Sequence, residues 1–178
     1  MKPEIYTKII RKGFIADELE FEKALILDRK LRLLSKDDAE LKEVRKALRA
    51  LIKDYEQKNW SSGAEISDEK IKESDIAEYI AEQERLFILK RKQIIKIKLQ
   101  EFGINQQDLG LLLGHNKTYM SELMNGLNPF TLKDLIIINR LLKIEIAVLI
   151  PVFLSKEDQI KVKEAVIKLG KPKLKLAS

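Results

Sequence analysis

The stretch from Gln106 to Gly126, QQDLGLLLGHNKTYMSELMNG, limits what this chain can fold into more tightly than any other. Its apolar residues recur at helical spacing, yet Gly110 and Gly114 fall inside the run and Asn125-Gly126 closes it. One long helix fits poorly, since each interior glycine costs about 1 kcal/mol relative to alanine. Two short helices fit well. Asn105 reads as the N-cap of Gln106–Leu113, Gly114 supplies the positive φ of a tight turn, and Asn116 caps a second helix running through Met124. Gly110 lets the two axes approach, while Leu109, Leu113, Met120 and Leu123 can form the contact between them. The outer face of the second helix then holds Lys117, Thr118, Ser121 and Glu122, all able to hydrogen-bond. Two short helices meeting steeply at a glycine turn make a helix-turn-helix. Polar side chains on its second helix can reach base edges in a DNA major groove, and helix N-termini can hold phosphates.

The flanking sequence supplies the supports. A helical pattern runs from Ser74 toward Phe102, with Asp75 and Glu78 in its first turns and Ile95, Leu99 and Phe102 as an inward stripe; Gly103 stops it. Beyond Asn128-Pro129, Thr131 caps a helix to about Lys143, and a short helix at Ile146–Ile150 ends at Pro151. One weakly amphipathic helix is expected after Ser155.

The N-terminal part reads differently. Ala24, Leu27, Leu31 and Leu34 form one apolar seam, and Leu41, Val44, Leu48, Leu51 and Tyr55 form a second. The connection Ser35–Asp38 is short and offers caps, so the two helices should form an antiparallel hairpin. A hairpin alone buries too little to be stable. Its apolar edge needs the C-terminal half, a second copy or another protein. Asn59–Lys70 is rich in Ser, Gly, Asn and Asp and reads as a linker, with Trp60 capping the hairpin core. The expected organisation is all-α: residues 1–60 a hairpin, 61–73 a linker, 74–154 a long helix with the helix-turn-helix domain, and 155–178 a basic helix and tail.

Charge divides along the same line. The chain of 178 residues carries +6, but residues 1–84 sum to −3, 85–150 to +5 and 151–178 to +4. A basic C-terminal half suits a polyanion. The tail KLGKPKLKLAS has too few large apolar residues for stable membrane binding; it adds attraction to DNA or is a disordered end.

Residues 93–150 resemble the five-helix DNA-binding domain of the XRE family, to which many phage repressors belong. The pattern I-N-Q-Q-D-L-G-x-L-L-G-x-x-x-x-x-M-S-x-L-x-N-G, followed by T-L at the next helix, carries the resemblance. It implies that Gln106 touches phosphate and braces the recognition helix. Asn116, Lys117, Thr118, Tyr119, Ser121 and Glu122 lie where bases or nearby phosphates are read, and Asn125 and the amide end at Thr131 match backbone-contact positions. Glu122 would accept from a cytosine amine or pair with Lys117, and the bulky Tyr119 would lie against sugar and phosphate. The N-terminal stretches E-x-E-F-E-K-A-L and L-I-K-D-Y-E-Q-K-N-W, ahead of such a domain, resemble HigA-type antitoxins. That resemblance implies a repressor of its own operon that neutralises a small basic RNase toxin cutting messenger RNA on the ribosome. The hairpin would dimerise the protein or hold the toxin. A stand-alone regulator, or a scaffold whose helix-turn-helix no longer binds DNA, are the other readings.

An enzyme is not expected. His115 is the only histidine and cysteine is absent, which leaves no Cys–His pair, thiolate site or disulfide. No phosphate-cradling glycine loop is present. His115, beside the turn, suits phosphate contact or solvent exposure. No cofactor or metal is expected. Met1–Gly13 is charged and lacks the apolar core of a leader, and no apolar run approaches bilayer thickness, so a cytoplasmic protein is expected. Because one recognition helix reads few base pairs, a homodimer on a palindromic operator is expected, with Ile136, Ile137, Ile138, Leu149 and Ile150 as interface candidates, several of which must be core.

Overall fold

A computed structural model describes residues 4–36, 38–61, 66–151, 154, 156–171 and 173–174. Among these residues all regular structure is α-helical. No helix is long and apolar enough to cross a membrane.

The N-terminal hairpin forms as its seams require. Helix α2 spans Glu18–Leu34 and α3 spans Ala39–Asn59. Asp17 accepts from the Glu20 amide and Asp38 from the Leu41 amide, so each helix starts on an aspartate that satisfies otherwise orphaned N–H groups. Leu27, Leu31, Leu48 and Ile52 meet in the core, where Phe21 stacks on Tyr55 at 4.9 Å. The sequence reading assigns no element to the first residues. The structure places α1 there, Glu4–Lys12, and its Ile9 closes the same core with Ile15 from the following turn. Trp60 caps that core as expected and donates to the buried Glu18 carboxylate at 3.0 Å. Tyr55 donates to the same oxygen at 3.1 Å. Burial and the neighbouring carboxylate push the Tyr55 hydroxyl well above its ordinary pKa.

Helix α4 spans Asp68–Glu101 and begins inside the segment read as linker, six residues before Ser74. Ser67 is its N-cap and accepts from the Lys70 amide, with Asp68 and Glu69 in the first turn. These signals sit inside the Ser/Gly/Asp cluster and were submerged in it; residues 62–65 of the expected linker lie outside the described residues. The stripe Ile95 and Leu99 is buried, but Phe102, the C-cap of α4, is exposed.

Ala77 and Ala81 of α4 are buried, and their small side chains suit the close packing of α2 against the first half of this helix. Lys23 and Glu84 bridge the two helices at 2.8 Å. The hairpin's apolar edge is therefore covered within the chain. The second half of α4 carries the C-terminal core, where Ile95 and Leu99 meet α5 (Gln106–Leu113), α6 (Lys117–Asn125), α7 (Leu132–Leu142) and α8 (Ile146–Leu149). Helix α9, Lys156–Lys168, follows; Pro172 and Lys175–Ser178 of the basic tail lie outside the described residues.

Among the described residues, one buried apolar side chain of the C-terminal half joins the hairpin core. Leu127, just after α6, is 2% exposed and belongs to the hairpin core, not to its own half's core. Leu127→Ala should cost about 2–4 kcal/mol in denaturant unfolding, the range for a leucine deleted from a packed interior. A loss under about 1 kcal/mol would show that this junction does not hold the two halves together.

Candidate nucleic-acid interface

The frame of α5 and α6 is set by repeated helix ends. Gly103, Gly114 and Gly126 all lie at positive φ, at 67°, 76° and 68°. After each, the next residue returns its amide to a carbonyl five positions back: Ile104 to Leu99 at 3.0 Å, His115 to Gly110 at 2.7 Å and Leu127 to Glu122 at 2.9 Å. This is the Schellman end, which only a residue free of the Cβ clash forms readily. Asparagine then restarts the chain. Asn105 accepts from the amides of Gln107 and Asp108, while Asp108 accepts from the Asn105 amide, a full capping box. Asn116 accepts from the Tyr119 amide at 2.8 Å. The loops Phe102–Asn105 and Gly114–Asn116 thus satisfy backbone groups of both flanking helices and leave the crossing little freedom.

Gly110 explains the closeness of that crossing. A Cβ there would stand 3.0 Å from the His115 carbonyl oxygen and 3.5 Å from Met120 Cβ. Leu109, Met120 and Leu123 are fully buried around it, with Leu113 close behind.

His115 acts as a strut. Its Nε2 lies 2.9 Å from Asp134 Oδ1, and its ring meets Tyr119 edge-on at 4.9 Å. Asp134 is buried and its other oxygen accepts from the Thr131 amide at 3.0 Å, completing the capping box of α7. The expectation that His115 contacts phosphate or solvent is therefore corrected: its side chain is largely covered and ties the turn to α7.

The expected contact residues separate into two groups. Asn116, Lys117, Thr118 and Thr131 are exposed, and Gln106 is half-buried at the first position of α5. Lys117 and Thr118 open α6, so they stand beside its amide end. The remaining four residues are engaged within the protein. Tyr119 leans on His115. Asn125 donates to the Ser121 carbonyl at 2.8 Å and to its hydroxyl at 3.3 Å, and accepts from Lys92 at 2.6 Å. Glu122 accepts from Asn128 at 2.9 Å, not from Lys117; the two residues are five apart, on different sides of α6, whereas the loop after α6 folds Asn128 back onto it. Burial raises the Glu122 pKa above the usual carboxylate value, against the lowering effect of that hydrogen bond.

Other residues of the site carry no local signal in the sequence. Lys30 of α2 donates to the Asn125 carbonyl at 3.1 Å, so Lys30 and Lys92 both stand at the C-terminal, negative end of α6. Burial lowers the pKa of both ammonium groups. Arg91 is buried between Phe87 and Phe130, at 5.3 and 5.0 Å, and donates to the Leu149 carbonyl at 3.2 Å. Desolvation lowers its pKa. Of the interface candidates, Ile138 and Leu149 are core, Ile137 is half-buried against it, and Ile136 and Ile150 are exposed.

Among the described residues, no group of three or more acidic, His or Cys side chains is placed to hold a metal ion. No family model matches the chain, and searches of the curated proteins and of the solved structures returned no match either.

Glu122 supplies a pH test. Its folded-state pKa is raised, so its contribution to stability is fully present below the unfolded carboxylate value and is lost as pH rises through the higher folded value. Glu122→Gln, which retains an acceptor for Asn128, should therefore be the more stable protein at neutral pH, with the difference closing in acid. Unfolding curves for both proteins across the carboxylate range check this; parallel pH profiles would sink it.

Proposed function

We propose that this chain is a sequence-specific DNA-binding antitoxin of the HigA type, with an XRE-like helix-turn-helix, that represses its own operon as a dimer and neutralises an mRNA-cleaving toxin. The carrying observation is the exposure of Lys117 and Thr118 at the amide end of a helix whose other end and both neighbours are immobilised. In this reading α6 lies in the major groove, with Lys117 and Thr118 reaching base edges or the adjoining phosphates. Asn116 and the first amides of α6 and α7 hold the backbone and set register. The Gly110 crossing and the His115–Asp134 strut keep α6 in its groove-reading orientation, so little ordering entropy is lost on binding. A two-fold dimer would read half-sites about 34 Å apart, and exposed Ile136 and Ile150 are the apolar residues available nearby for its contact.

The toxin-holding half of the proposal draws support from charge. Asp17, Glu18, Glu69 and Glu73 line an open cleft of about 410 Å³ at the end of the hairpin. Glu18 is 4% exposed and its Oε2 has no hydrogen-bond partner. A cleft of this sign is complementary to a basic partner.

Lys117→Ala and Thr118→Ala should each weaken operator binding by about 1–3 kcal/mol while leaving the unfolding midpoint unchanged. Unaltered operator affinity in both folded variants would remove α6 as the reading helix. Purification of the tagged chain from its own cells should bring down a stoichiometric small basic polypeptide. Recovery of the chain alone, with a neighbouring toxin gene expressed, would leave a stand-alone repressor.

A further inference from the structure

Although the N-terminal half is net acidic, one face of α3 is strongly basic. Lys42, Lys46, Arg49 and Lys53 follow one another at i+4, i+3 and i+4, so they share one side of the helix. All four are exposed, and all four line an open groove of about 830 Å³ between α2 and α3. None of the four side chains has an ion pair or hydrogen bond to a described residue. The groove's fifth cation, Arg45, is already neutralised: it grips Asp28 with two bonds, Nε to Oδ1 at 2.9 Å and Nη2 to Oδ2 at 3.3 Å. Glu56, at one end, is the remaining carboxylate among the described lining residues. The groove therefore keeps a net excess of positive charge with no internal partner.

We infer that this α2–α3 groove is a second polyanion site, which takes the phosphate backbone of duplex DNA. The stripe advances about 16 Å along α3, in steps of about 6, 4.5 and 6 Å. A DNA strand carries one phosphate per 3.4 Å of axis, so a strand lying along α3 offers about five phosphates to four cations. The alternative occupant, an acidic protein, fits less well. Protein interfaces are anchored by buried aromatic or aliphatic side chains and are poor in charge at their centre. Helix α3 exposes no large hydrophobic residue, and the lining Leu25 and Ile52 are held in the hairpin core. Point charges on flexible stems with no apolar anchor are the chemistry of sequence-independent phosphate binding. The site takes only the identity of its polyanion from the proposed DNA-binding function. It makes no use of α6.

The test is the salt dependence of binding to a non-operator duplex of about 30 base pairs, followed by fluorescence anisotropy. Each phosphate neutralised contributes about 0.9 to the slope of log K against log[salt]. The variant Lys42→Gln/Lys46→Gln/Arg49→Gln/Lys53→Gln should flatten the slope by about 3–4, and Lys46→Gln/Arg49→Gln alone by about 2. Since the four side chains are exposed and unpartnered, circular dichroism and the unfolding midpoint should match the unsubstituted protein. If the quadruple variant is unstable, the double variant decides. The same loss of slope is expected in a Lys117→Ala/Thr118→Ala background, because the groove and α6 are separate. A flattened slope there, together with unchanged operator affinity for the α6 variant alone, would retain the groove and discard the recognition helix. A slope unchanged by substitutions in a folded protein overturns the groove proposal, whatever α6 does.

Discussion

The unbroken backbone ladder of α4 is the constraint on which the rest of the structure depends. Thirty-four residues of helix run from Asp68 to Glu101 without a glycine or proline. Such a helix is about 50 Å long and stiff, so whatever packs on one half is held at a set distance and rotation from whatever packs on the other. The first half offers Ala77 and Ala81 to α2, and the second offers Ile95 and Leu99 to the C-terminal core. Neither the hairpin nor the short helices bury enough surface by themselves. Each becomes stable by sharing this helix, and sharing it also sets where each points.

The consequence is that the two ends of α6 are held unequally. The C-terminal end of α6 is clamped from three sides: Lys92 of α4 on the Asn125 side chain, Lys30 of α2 on its carbonyl, and Leu127 drawn into the hairpin core. Two ammonium groups at a helix C-terminus oppose the negative end of its dipole. Burial nevertheless holds both ammonium groups below the usual lysine pKa. The N-terminal end has only the Asn116 cap and is open to solvent, with Lys117 and Thr118 on it. Lys30 and Leu127 thus couple α6 to the hairpin through a short chain of packed contacts.

Electrostatics divide the surface in a way that net charge hides. The N-terminal half sums to −3, yet its α3 face is a run of unpaired cations, while four of its carboxylates, Asp17, Glu18, Glu69 and Glu73, line the Glu18 cleft. Opposite signs at different parts of one hairpin allow it to meet a basic partner and a polyanion without competition between them.

The amino-acid sequence alone determined the local grammar: all-helical character, the caps at Asn105, Asn116 and Thr131, and the glycine ends at 103, 114 and 126. Those features are legible because each is closed by hydrogen bonds spanning two to five residues, so neighbours along the chain suffice to specify them. The Gly110 crossing was legible for the same reason, since the residue it must accommodate, His115, is five positions away. Only the tertiary structure decided which surface covers the hairpin, that Phe102 is left exposed at the end of the α4 stripe, and that Glu122 and Asn125 are occupied by Asn128 and Lys92 while Lys117 and Thr118 are free. It also decided the roles of Lys30, Arg91, Lys92 and His115, whose partners lie 95, 58, 33 and 19 residues away. Such pairings follow from how faces are brought together around α4, and hydrophobic periodicity marks a face as apolar without saying what will cover it.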